Sequence, residues 1–119
     1  MEEKNTATGM ELPRDVIRYG AIELIDGRNV PATIESDTYS FAMLILECIT
    51  EKIPFSGLSG DSTVLHARAN KRQTPPRPDV HNPKGGVSDG LWNLMMRCWS
   101  INPKGRPTMN YVHTYFVDH

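Results

Sequence analysis

Histidines, cysteines and one basic proline-rich stretch are the residue types in this chain most able to carry chemistry. The four histidines, His66, His81, His113 and His119, show neither an HExxH pattern nor a paired-ligand spacing, so they read as surface side chains and no metal site is expected. Cys48 and Cys98 stand fifty residues apart inside apolar stretches, with no CxxC partner. That pattern suits two reduced core thiols in a cytoplasmic protein better than a disulfide or a zinc site. "RQTPPRP" places Arg72, Pro75 and Pro78 in the basic-xxPxxP arrangement that SH3 grooves accept as a polyproline helix. Arg68, Lys71, Arg72 and Arg77 could steer an acidic partner. With a net charge of −1 they read more simply as a solvated basic edge, and no nucleic-acid partner is expected.

The elements that would hold these residues follow from composition and punctuation. The chain has 119 residues, 13 Lys+Arg against 14 Asp+Glu, and 39% hydrophobic side chains, the balance of one soluble globular domain. Its first fifteen residues contain no apolar signal region. The longest apolar run, Phe41 to Leu46, is far shorter than the ~20 residues of a membrane-spanning helix. No membrane partner is expected.

No alternating strand pattern appears; helix caps, apolar helical stretches and Pro/Gly-rich connections recur, so the fold class is all-α. "SDTYSFAMLILECIT" starts a helix at Ser36 or Asp37 that runs to about Thr50. A second helix starts at Asp61 or Ser62 and passes through Val64, Leu65, Arg68 and Ala69 until "TPPRPD" closes it. "SDGLWNLMMRCWS" is amphipathic, with Asp89, Asn93, Arg97 and Ser100 on its polar stripe. A fourth helix follows Pro107 and carries Met109, Val112 and Phe116. The first helix is apolar all round and reads as a central post that the other elements wrap over most of its surface. The segment "IRYGAIELI" helps to wrap it, and a face near Asp37, Ser40 and Phe41 is expected to stay uncovered.

From Arg18 to Met109 the succession "RYGAIELI", "SDTYSFAMLILECIT", "IPFSG" and "LWNLMMRCWSINPKGRPTM" resembles the C-terminal part of the eukaryotic protein-kinase domain. The Cys98-Trp99 pair before "NPKGRPT" resembles its tyrosine-kinase-like branch. The resemblance implies a partial kinase large lobe, four main helices around a hydrophobic one, over residues 18–117, with a poorly structured segment at 1–17. It places Ala21-Ile22-Glu23 at the family's Ala-Pro-Glu motif and implies an ion pair between Glu23 and Arg106. Asp37 matches the family aspartate that accepts hydrogen bonds from the catalytic loop, but with no such loop in these residues a cap for its own helix is the preferred reading. Trp99 falls at another structural position of the family, and Ile17, Arg18 and Tyr19 fall where the family faces its substrate, although as isolated residues they read as packing and solvated surface. Ile22 in place of proline and Ala42 in place of glycine depart from the pattern.

The same resemblance makes the missing motifs informative. Phosphoryl transfer by a kinase uses a glycine-rich cover, a strand lysine, a catalytic-loop aspartate with its asparagine, and a metal-binding Asp-Phe-Gly. None stands in these 119 residues. Gly57 and Gly60 lack the GxGxxG spacing, and Asp26 of "IDGR" lacks the phenylalanine. Arg14-Asp15 is followed by Gly20 where the asparagine belongs and lies eight residues before Glu23, so it reads as a solvated turn. The expectation is therefore no catalytic residue and no cofactor for this chain, ATP and magnesium belonging to the parent family. The partner expected is a protein or the missing kinase portion, or a second copy through exposed apolar surface.

Overall fold

The computed structural model describes residues 12–78 and 86–118. Its elements, in chain order, are α1 (Arg14–Tyr19), α2 (Ile22–Ile25), α3 (Ile34–Thr50), α4 (Asp61–Lys71), α5 (Asp89–Cys98), a 3-10 turn (Pro103–Gly105) and α6 (Met109–Asp118). The protein is all-α, and no strand occurs among the described residues.

α3 begins earlier than its sequence suggests. Thr33, not Ser36 or Asp37, is the capping residue: its hydroxyl accepts the Ser36 N–H at 3.0 Å, and the Ser36 hydroxyl accepts the Thr33 N–H at 2.7 Å. This reciprocal capping box satisfies two donors that a helix start would leave open. Asp37 consequently lies within the first turn, exposed, where its charge favours the helix dipole without capping it. Replacing Thr33 by alanine is expected to cost about 1 kcal/mol, read as a lower urea midpoint. An unchanged midpoint would mean that packing alone fixes the start of α3.

One side of α3, formed by Ser36, Thr38, Tyr39, Ala42, Met43 and Leu46, is buried. Against it lie α1 and α5, and the core is completed by Ile17, Ile22, Val64, Met95, Cys98, Trp99 and Val112. The post is not enclosed on every side: the face expected to stay uncovered near Asp37, Ser40 and Phe41 runs on to Ile34 and Leu44. Ile34, Asp37, Phe41, Leu44 and Cys48 recur at spacings of three and four, which puts them on one stripe. Along it Ile34 is 74% and Leu44 49% exposed, Phe41 and the neighbouring Ser40 are half-buried, and Cys48 is exposed. Cys48 is thus no core thiol. Cys98 is, and burial pushes its thiol up to about 11.

Helical structure begins at Arg14, inside the stretch 1–17 expected to be poorly structured, of which residues 1–11 lie outside the described residues. Arg14 and Asp15 are exposed, as a solvated turn requires, but that turn is the first of α1. α1 stops at Gly20, where the chain passes so close to its own helix that a β-carbon would lie 2.6 Å from the Val16 carbonyl oxygen. That close approach requires glycine. At the other end, Thr108 accepts the Tyr111 N–H at 3.1 Å, so Pro107 precedes the cap of α6 instead of opening its first turn.

Candidate functional site

The strongest polar constellation joins the short helix α2 to the loop after α5. Two parallel hydrogen bonds of 2.8 Å run from the Arg106 guanidinium, Nη1 to Glu23 Oε2 and Nη2 to Glu23 Oε1. Both side chains are shut away from solvent, at 0% exposure for Arg106 and 7% for Glu23. Arg106 also donates to the Ser100 carbonyl at 2.9 Å and to the Glu35 carbonyl at 3.1 Å, and it lies 4.9 Å over the Tyr39 ring. One side chain therefore ties α2, the start of α3 and the loop before α6 into a single unit. Burial alone would raise the Glu23 carboxyl, but the Arg106 hydrogen bonds, its own backbone amide and the Arg106 charge together hold it below the usual carboxylate range.

Ile17, Arg18 and Tyr19 close α1 and are turned largely inward. Ile17 belongs to the core. Arg18 is buried, donating from Nη1 to the Pro54 carbonyl at 2.9 Å and the Phe55 carbonyl at 3.2 Å, and from Nε to Asp61 at 3.1 Å. The half-buried Tyr19 hydroxyl donates to the Glu47 carboxylate of α3. Burial, reinforced by that carboxylate, pushes the Tyr19 hydroxyl up to about 12. Arg14, Asp15, Arg18, Tyr19 and Ile53 line an open cleft at this end.

The remaining sequence candidates are dispersed. Asp37 is exposed on the open stripe of α3, and Trp99 is buried with its ring edge-on to Trp92, centroids 5.6 Å apart. Trp99 Nε1 is a buried donor with no partner. Along the proline-rich stretch Arg72 is exposed and closes α4 in the left-handed region at φ 54°. Pro75 is buried and Pro78 half-buried, the two lining a cleft together with Leu46 and Phe55. An SH3 groove grips both prolines of its ligand, and here Pro75 already faces the protein's own core.

Arg68 does not belong to a solvated basic edge either. It is fully buried, whereas Lys71, Arg72 and Arg77 are exposed. Its position was legible in part, since Val64, Ala67 and Arg68 share the face of α4 that packs inward. Tyr39 and Glu47, which hold Arg68 and Tyr19, carry no comparable signal. His66 and His113 are exposed, while His81 and His119 lie outside the described residues. Among the described residues no group of three or more His, Cys, Asp or Glu could hold a metal ion. No described helix is long and apolar enough to cross a membrane.

The family model for protein tyrosine and serine/threonine kinases matches residues 1–116. The chain belongs to the protein-kinase family. Among curated relatives, the mouse (Mus musculus) ankyrin repeat and protein kinase domain-containing protein 1 is 34% identical over 94 residues, a stretch covering 79% of this chain and 12% of that protein. The kinase chain thus spans a small fraction of this relative's length. Within the residues the family model matches, the buried Glu23–Arg106 fork joins "AIE" to "GRPTM".

Proposed function

We propose that this chain is a segment of a protein-kinase large lobe, of the tyrosine-kinase-like branch, whose parent transfers phosphate from ATP to protein hydroxyls in the cytoplasm. The observation that carries the reading is the Glu23–Arg106 fork, bidentate and buried, which fastens the end of a substrate-facing segment to the last helices of the lobe. A guanidinium–carboxylate fork has a geometry that few other pairs can replace. In this reading Glu23, Arg106 and Trp99 are structural, Asp37 stands ready to meet a catalytic loop, and Ile17, Arg18 and Tyr19 border the substrate.

These residues by themselves transfer no phosphate. None of the groups that cover, bind or neutralise ATP phosphates is among them, so neither ATP nor magnesium has a site on this chain. The partner is the portion of a kinase that supplies those groups, seated along the open stripe of α3. The alternative of an adaptor displaying Arg72, Pro75 and Pro78 to an SH3 domain is disfavoured by the burial of Pro75.

The purified chain is expected to give no phosphorylation of a generic protein substrate and no thermal shift with Mg-ATP. A clear shift that disappears when magnesium is chelated would overturn the proposal that the chain lacks a nucleotide site.

A further inference from the structure

α1 cannot hold itself. Six residues fall well short of the roughly 12 that an isolated helix needs in water, and its last carbonyls require partners from elsewhere in the fold. Val16 is served within the helix, by the Gly20 N–H at 2.9 Å. The Ile17 carbonyl is served from α4, where Arg68 Nη1 donates to it at 2.8 Å across fifty-one residues of sequence.

Arg68 is an unusual choice for that task. Its Nη2 donates to the Tyr39 hydroxyl at 2.9 Å, and its guanidinium lies 5.4 Å from the Tyr39 ring and 5.2 Å from the Phe55 ring. Nε has no partner, and no carboxylate among the described residues pairs with it. A buried cation without a counter-ion is a poor source of stability, because desolvation takes back much of what its contacts give. An unbranched aliphatic side chain would fill the same slot between the two rings at lower cost. What it could not do is hold the Ile17 carbonyl or orient the Tyr39 hydroxyl.

We infer that Arg68 is a latch: it fastens the C-terminal end of α1 to α4 and sets the local order of the Ile17–Tyr19 segment rather than the stability of the whole fold. Tyr39 links this latch to the fork, since its ring centroid lies 5.4 Å from the Arg68 guanidinium and 4.9 Å from that of Arg106. That the latched segment faces a substrate belongs to the kinase reading above, whereas the latch stands on the contacts alone.

Amide hydrogen exchange on the full chain separates local from global roles. In Arg68→Met, the Ile17 and Gly20 amides should exchange about tenfold faster or more, while Met95 and Cys98 of α5 stay within about twofold and the thermal midpoint does not fall. Arg68→Lys, whose ammonium can still donate to the Ile17 carbonyl, should lie between the parent and Arg68→Met. The inference is overturned by unchanged exchange in α1, by equal acceleration in α1 and α5, or by a lysine variant no better protected than the methionine one. Failure of both variants to fold would equally overturn it, because Arg68 would then be a determinant of the entire core.

Discussion

Glu23→Gln should destabilise the chain by about 3 kcal/mol, and Arg106→Met by about 5, the range measured when one partner of a buried ion pair is removed. The order follows from the contacts. Glutamine leaves Arg106 charged and buried, yet still bonded to the Ser100 and Glu35 carbonyls. Methionine removes those two bonds as well and orphans the Glu23 carboxylate. Against a total stability of about 5 to 15 kcal/mol for a domain, either loss is large, and the denaturant midpoint reads it directly. Equal midpoints for the parent and Glu23→Gln would mean that the fork contributes nothing to the fold.

The same pair has a pH signature. Glu23 is held below its ordinary value in the folded protein, so below pH ~4.3 the unfolded chain binds a proton that the folded one resists. The stability from Glu23 is complete above that pH and is lost as the pH falls through the depressed folded value. Acid should therefore destabilise the parent more steeply than Glu23→Gln, and the two curves should converge at low pH. Parallel curves would show that other carboxylates govern the acid transition.

Four helices were legible in the sequence because each is bounded by local chemistry. Ser88 caps α5 through the Leu91 N–H at 3.2 Å, and prolines and glycines break the chain between elements. α1 was not legible, since its order depends on Arg18 and Arg68, whose partners lie 36 to 51 residues away. Distant contacts leave no periodic trace in a six-residue window. Arg68 was misread for a related reason: beside Lys71 and Arg72 it looks like one more surface cation, and only the geometry of α4 turns it inward. Cys48 and Leu44 illustrate the converse. When every side of a helix is apolar, hydrophobic periodicity cannot say which side faces out. The Glu23–Arg106 pair, 83 residues apart, was reachable only through the resemblance of two segments to one family.

The open stripe of α3 leads to the second large effect. Ile34 is 74% and Leu44 49% exposed, with Phe41 half-buried between them. Covering Ile34 and Leu44 would return about 2 to 4 kcal/mol at the usual value for burying such side chains. Exposed large apolar side chains, where they form a patch, mark an interface or an aggregation liability. The full chain should therefore bind ANS and scatter light increasingly with concentration. Asp37 is exposed within the stripe, so a second copy brings its own Asp37 charge to this face, and self-association should strengthen as salt screens that repulsion. Leu44→Lys should suppress both signals, because it replaces exposed apolar area with a charge opposite to its neighbours and removes little core packing. If the parent is monomeric and ANS-silent at low and high salt, the stripe is ordinary surface: α3 is then sufficiently covered as it stands, and a missing kinase portion is not needed to complete it.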